Sequence, residues 1–379
     1  MNRIMMVACV VVGLVCGCEP SPGPAPGNAP DKAVPREAGG RRIHALIVGI
    51  DHYRNSDARL PAAVFSDLRG AVGDALRFKQ ALAEVYGVDV DAPTGGACES
   101  SNAATTTLTD ACATRARILG ALGQQIATLQ PGDTLLFYFA GHGSRYRDDQ
   151  ARDQDTGYNG TILPTDARSP DGAPGDIFDV ELKVLKDRAT AAGLFFVSVF
   201  DSCNSATATR NGAAGLSRSA PAFSGGPPPQ RDSPMQGGAT PPNAADGGYW
   251  VHLAAAQDGE EAQETGGAVG TRAGVFTTAL IDTLRMPGMR DATFGDLIQE
   301  VRLRVAAHGH ATQTPSAEGA LTAVLGARTR TTVLYDVESA SQITTLQAGI
   351  TSGMTRGSRF ALYASQADAI ARRAPIAPE

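Results

Sequence analysis

Two short segments of the chain carry residues suited to nucleophilic catalysis. In Phe137-Tyr138-Phe139-Ala140-Gly141-His142-Gly143 a histidine follows an apolar run and lies between two glycines. In Val199-Phe200-Asp201-Ser202-Cys203-Asn204 a cysteine follows another such run. A thiolate nucleophile needs a neighbouring imidazole to take its proton or stabilise its charge. Glycines let the main chain approach a substrate closely, and the N–H groups of Gly143 and Cys203 are candidate donors to an oxyanion. Taken singly, a histidine such as His142 is more often a structural or solvent-facing residue and a cysteine such as Cys203 usually a small buried apolar one. His44, His52, His252, His308 and His310 give no zinc-ligand spacing with Cys203. A dithiol redox centre would lack its CxxC pair.

The elements that must position these residues follow from hydropathy. Ile43 to Ile50, Asp133 to Phe139, Gly193 to Phe200 and Tyr249 to Ala256 read as buried strands, with shorter ones at Gly160 to Leu163 and Leu321 to Leu325. Helical spacing marks Val72 to Tyr86, stopped by Gly87, then Arg115 to Leu129, Asp179 to Arg188, Gly274 to Leu284 and Phe294 to Ala307. Alternating strands and helices predict an α/β fold, an open, mostly parallel β-sheet with helices on both faces. Ligand sites in such sheets lie at the carboxyl ends of the strands, so His142 and Cys203 are expected at one edge.

Composition narrows the setting. The net charge is −6, with no basic stripe, which argues against nucleic acid as a partner. Residues 204–248 form a long polar insert, and residues 328–365, rich in Thr, Val and Gly, predict a small β-rich appendage before a tail at 366–379. Residues 19–42, rich in Pro and Gly, read as a tether. Cys98 and Cys112 flank a polar, Thr-rich loop and could pair, leaving Cys203 as the odd thiol. Arg3 with the apolar run Met5 to Val15 has the form of a secretory signal. Val15-Cys16-Gly17-Cys18 resembles the bacterial lipobox, which implies cleavage before Cys18 and acyl chains on Cys18, a firm membrane anchor. Glu19, in place of an Asp, leans towards the outer membrane.

From Arg42 to Ala327 the chain resembles the caspase/metacaspase-like peptidases. The resemblance rests on Ala45-Leu46-Ile47-Val48-Gly49-Ile50-Asp51-His52-Tyr53-Arg54-Asn55, on Leu68 to Ala75, on the His142 and Cys203 strand ends and on Thr161 to Asp166 with Gly175-Asp176-Ile177. It continues through Leu253 to Ala256 with Gln263-Glu264, Gly274 to Leu280 and Gln313-Thr314-Pro315. It implies a caspase-like domain over residues 43–327 and a cysteine endopeptidase using a Cys203–His142 dyad. The expected substrates are proteins or peptides cut after Arg or Lys, whose side chain Asp74 and Asp201 would hold. A carboxylate pair suits a guanidinium; without the resemblance Asp74 is a helix N-terminal residue and Asp201 a turn residue. Departures are Ala140, Ala71 and Asn204, where the family often has Ser, Cys and His. No cofactor is expected: Asp148, Asp149, Asp153, Asp155 and Asp166 are oxygen-rich, and some relatives need calcium, but their spacing is not that of an EF-hand loop. Within the insert, Arg210, Arg218 and Arg231 are candidate points of self-cleavage. The competing function is a catalytically silent module of the same fold that binds partners at the membrane.

Overall fold

The structure is a computed structural model. It describes residues 42–326 apart from 58, 60–64, 91–97, 148–157, 171–174, 204–215, 223–247, 258, 266–271 and 311, together with strands near both ends of the chain. The chain divides into two compact units, Arg42–Thr329 and a second made of Met1–Arg41 with Arg330–Glu379. In chain order the strands are β1 (Met6–Val10), β2 (Ile43–Gly49), β3 (Glu99–Ser101), β4 (Thr105–Thr109), β5 (Thr134–Ala140), β6 (Gly143–Arg147), β7 (Tyr158–Ile162) and β8 (Ile177–Phe178). Next come β9 (Phe195–Asp201), β10 (Leu216–Ser217), β11 (Trp250–Ala254), β12 (Gln263–Glu264), β13 (Ser316–Gly319), β14 (Val333–Ala340), β15 (Ile343–Leu346) and β16 (Phe360–Tyr363). The α-helices are α1 (Ala71–Tyr86), α2 (Arg115–Thr128), α3 (Asp179–Ala191), α4 (Val275–Leu284) and α5 (Phe294–Ala307).

The larger unit is built on a seven-stranded sheet in the order β13-β11-β9-β5-β2-β4-β3. The five inner strands run parallel, and the two edges are antiparallel. The central strands β5 and β9 are buried along their whole length, as expected of strands covered on both faces. One apolar cluster joins α1, α4 and α5 to one face of the sheet; the other joins α2 and α3 to the opposite face. Helix α1 turns Ala75, Phe78, Ala81 and Leu82 inward and ends on Gly87, whose left-handed backbone returns its N–H to Ala83 and Leu82. A Cβ on Gly49 would stand 2.7 Å from both the Ala71 oxygen and the Ala75 Cβ, so small residues let α1 lie close on β2. Thr114 and Thr293 cap α2 and α5 through their hydroxyls.

Two expectations need correction. Leu321 to Leu325 is not a strand: it is a turn with an isolated bridge between Thr293 and Val324, and the edge strand is the polar Ser316–Gly319 just before it. An edge strand paired on one side needs no apolar run, so its sequence carries no strand signal. The insert after Cys203, expected to be flexible over residues 204–248, is seated in the domain at residues 216–222.

The second unit is a four-stranded antiparallel sheet in the order β15-β14-β1-β16. Its C-terminal strands fall in the segment expected to be β-rich. Met6–Val10, assigned from sequence to a signal peptide, supplies an inner strand, pairing Met6 with Val337 and Val7 with Tyr363. A short apolar run with two valines suits a strand as well as a signal. Cys18, the tether at 19–41 and the tail lie outside the described residues.

Candidate active site

His142 and Cys203 follow directly on the neighbouring parallel strands β5 and β9, with Ala140 in register with Asp201. The hydroxyl oxygen of Tyr53, in the loop after β2, accepts from the His142 N–H at 2.7 Å. A Cβ on Gly141 would approach the Tyr53 hydroxyl to 2.8 Å, so this contact requires glycine. The imidazole Nε2 meets the Ser66 carbonyl at 2.7 Å. A carbonyl only accepts, so Nε2 carries the proton of the neutral ring and Nδ1 is left as the basic nitrogen. Nδ1 is buried with no hydrogen-bond partner among the described residues. Burial pushes the imidazole down to about 4, against the opposing pull of the Ser66 and Arg218 main chain.

The loop that aligns His142 is itself braced. Asp110, which has a left-handed φ of 40°, accepts from the Asp51 and His52 N–H groups at 2.8 and 2.9 Å. The Cys98–Cys112 disulfide closes beside it. Thr165 adds a second brace, accepting at its carbonyl from the Arg54 N–H and donating its hydroxyl to His52.

Cys203 is fully buried. Its Sγ accepts from the Ala262 N–H at 2.9 Å and lies 3.8 Å from the Ser217 hydroxyl. Burial pushes the thiol up to about 12, although these two groups pull the other way. A Cβ on Gly143 would fall 1.8 Å from the Cys203 carbonyl oxygen, so only glycine allows the two strand ends to meet this closely.

Asp74 and Asp201 converge, and beside them stand a third carboxylate, Glu264, and an occupant, neither assigned from the sequence. The occupant is Arg218 from the insert. Its guanidinium is fully buried and pairs with Asp201 at 3.0 Å, with Glu264 at 3.2 Å and with Asp74. Burial alone would lower the guanidinium pKa, but Asp201, Asp74 and Glu264 outweigh it and keep Arg218 charged. Burial raises the Asp201 carboxyl, opposed by Arg218. Each carboxylate is held from outside the pocket as well. Asp201 accepts from the Thr277 hydroxyl and N–H, Asp74 from the Gly274 N–H, and Glu264 from the Gly70 N–H. A Cβ on Gly274 would sit 2.1 Å from the Asp201 Oδ2, so glycine there keeps the pocket open.

The Arg218 main chain is placed as specifically as its side chain. Its carbonyl accepts from the Gly143 N–H at 3.0 Å and from the Cys203 N–H at 3.3 Å, the two amides singled out as oxyanion donors. Leu216 and Ser217 pair antiparallel with Glu264 and Gln263, and Ser219 bridges to Gly143. A segment of the chain thus crosses the site as an added strand. Because Arg218 fills the pocket, the site is closed, and a cavity of roughly 400 Å³ lies elsewhere, lined by residues such as Lys186, Trp250 and His252.

Of the oxygen-rich aspartates, only Asp166 is described, and it accepts from the Arg115 N–H at the start of α2. Asp148, Asp149, Asp153 and Asp155 lie outside the described residues, as do Arg210 and Arg231. Among the described residues no group of three or more His, Cys, Asp or Glu is arranged to hold a metal ion.

The caspase domain family matches residues 42–325. Curated relatives include a metacaspase-1 of Cryptococcus neoformans var. neoformans, 30% identical over 43% of this chain and 32% of that protein. Another from Mycosarcoma maydis is 37% identical over 25% of this chain and 22% of its own length. A third from Plasmodium falciparum is 32% identical over 42% and 23%. The chain thus spans about a third or less of these relatives. A crystal structure of a Geobacter sulfurreducens protein superposes with a TM-score of 0.49 and 19% identity, covering 73% of this chain and 93% of that one. With a matching domain over most of its length, a mostly parallel seven-stranded sheet and metacaspase relatives, the chain belongs to the caspase/metacaspase family of cysteine peptidases.

Proposed function

We propose that the protein is a cysteine endopeptidase that cleaves after Arg or Lys and that its first substrate is its own Arg218–Ser219 bond. The observation that carries this reading is Arg218 itself, with its guanidinium among three carboxylates and its carbonyl on the Gly143 and Cys203 amides.

In the reaction, the Cys203 thiol gives its proton to Nδ1 of His142 and its sulfur bonds to the Arg218 carbonyl carbon. The carbonyl π pair moves to the oxygen, which the Gly143 and Cys203 N–H groups stabilise. When that pair returns, the C–N bond to Ser219 breaks, and the leaving nitrogen takes the proton from His142. Water then hydrolyses the thioester, His142 accepting its proton and returning it to the sulfur. The Ser66 carbonyl keeps the imidazole in the tautomer this sequence needs. Asp74, Asp201 and Glu264 select the basic side chain, and once Arg218 leaves they are free for an external Arg or Lys.

The test is mass spectrometry of the purified protein beside its Cys203→Ala variant. Fragments ending at Arg218 and beginning at Ser219 are expected from the first and absent from the second. An uncut chain that nevertheless turns over Arg peptides would remove Arg218 as the first substrate.

We further infer, from the lipobox resemblance, that Cys18 carries lipid and ties the enzyme to the outer membrane. Cleavage before Cys18 would also remove Met6–Val10 from the sheet of the second unit. The mass of the mature N-terminal peptide decides between these two fates of the same residues.

A further inference from the structure

The residues after Arg218 are held as closely as Arg218 is, by groups that no part of the dyad or the acidic pocket requires. The Ala220 N–H donates to the Gly143 carbonyl at 2.9 Å. Ala220 is fully buried, within the apolar cluster that also contains Tyr53 and Ala167. The Pro221 carbonyl accepts from the Ser144 hydroxyl at 2.9 Å and from the Arg168 guanidinium at 3.2 Å.

Arg168 is aimed with some care. Its backbone has a left-handed φ of 57°, uncommon for a residue with a side chain. The buried Asp176 holds it by two bonds, Nε to Oδ1 at 2.8 Å and Nη2 to Oδ2 at 3.0 Å. Thr161 donates in turn to Asp176 at 2.9 Å. A bidentate pair fixes the guanidinium plane, so Nη1 is left facing the Pro221 carbonyl. Ser144 belongs to β6 and is fully buried, so its hydroxyl is equally confined.

We propose that Gly143, Ser144 and Arg168 form a primed-side substrate groove. It reads the chain beyond the scissile bond, taking a small residue at the second position and anchoring the third carbonyl. The proposal rests on the Arg218–Ser219 reading above and extends it to a substrate class: extended polypeptides of the form Arg-x-small-x, with recognition on both sides of the cut. Main-chain bonds to Gly143 and Arg168 supply affinity without regard to sequence, whereas the closed space around Ala220 supplies discrimination.

The experiment uses the full-length protein and internally quenched peptides copying residues 215–222. One peptide keeps Ala at the second primed position and one carries Trp there. A third substrate, an Arg amide reporter, has no primed residues. We expect the Trp peptide to be cleaved at least ~10-fold less efficiently than the Ala peptide, since overfilling a closed site displaces its walls. Arg168→Gln is expected to lower the ratio of kcat/KM on the Ala peptide to that on the reporter by ~10-fold, the scale of one charge-assisted hydrogen bond. Ser144→Ala is expected to lower the same ratio by several-fold, and it serves if the Arg168 variant does not fold. Equal cleavage of Ala and Trp peptides, or an unchanged ratio in both variants, overturns the groove while leaving Arg cleavage intact. Failure of the wild type on all three substrates overturns the Arg-cleaving reading and the groove together.

Discussion

The acidic pocket makes a graded prediction, because its three carboxylates are not equivalent. Asp201 acts most strongly on the Arg218 guanidinium and Glu264 least. Glu264→Gln keeps an oxygen where Oε1 now accepts from Gly70 and from Arg218 at 3.1 and 3.2 Å. What is lost is the charge, the difference between a charge-assisted and a neutral hydrogen bond, about 1–1.5 kcal/mol, or roughly ten-fold. Asp201→Asn removes the strongest partner of a fully buried cation. It also puts an amide where Oδ1 now has no hydrogen-bond partner. Breaking a buried pair costs about 3–5 kcal/mol; with two carboxylates remaining, the lower figure applies, about 10²-fold. The measurement is kcat/KM on Arg and Lys peptides for wild type and both variants, each normalised to titrated active sites and checked for an unchanged melting temperature. Asp201→Asn within two-fold of wild type, or Glu264→Gln the more damaging of the two, would refute the assignment of this pocket to the basic side chain.

Further outcomes are open to direct test. Cys203→Ala should abolish both peptide cleavage and self-cleavage; residual wild-type turnover in a steady-state assay would remove the dyad. With its thiol pushed up to about 12, Cys203 in the intact chain has a thiolate fraction near pH 8 on the order of 10³-fold below that of an ordinary thiol. Iodoacetamide should therefore alkylate it slowly, at a rate rising with pH through 9 and beyond, and an ordinary cysteine rate would contradict the closed site. Gly274→Ala places a methyl group against Asp201 and Asp74. It should suppress cleavage after Arg by displacing the guanidinium, measured on the same quenched peptides, and wild-type kcat/KM would contradict it. Replacing Cys98 and Cys112 by Ser removes a loop closure worth about 3 kcal/mol and unties the segment bearing Asp110. A fall of several degrees in melting temperature is expected by calorimetry, and an unchanged one would show that the crosslink is idle. Cys18→Ser should release the protein from the membrane fraction, read by fractionation and by the acyl mass of the N-terminal peptide.

Much of this was legible from the sequence because it depends on residue type and period. The apolar runs before His142 and Cys203 mark buried parallel strands, and strand ends are where such sheets hold their chemistry. Asp74 on the inner face of α1 and Asp201 at the end of β9 could be paired through the family resemblance. The parts that escaped have physical reasons. Ser66 holds His142 through a carbonyl, and Gly143 and Cys203 hold Arg218 through amides, groups that every residue has. Glu264 reaches the pocket from a two-residue strand, too short for any periodicity. Arg218 is one of three arginines in a polar insert, and its carboxylate partners come from α1, β9 and β12, far apart in the chain.

The seated Arg218 segment has a kinetic meaning. If Arg218 is the first target, as proposed, residues 204–217 tie it to Cys203, and the first turnover is then a unimolecular event whose half-time does not change on dilution. Until that event, any external peptide competes with a tethered one whose effective concentration is on the order of millimolar. A substrate present at micromolar levels would then occupy few of the sites. On the proposed reading the molecule is less a resting enzyme awaiting substrate than a timer that runs once and is set by its own sequence.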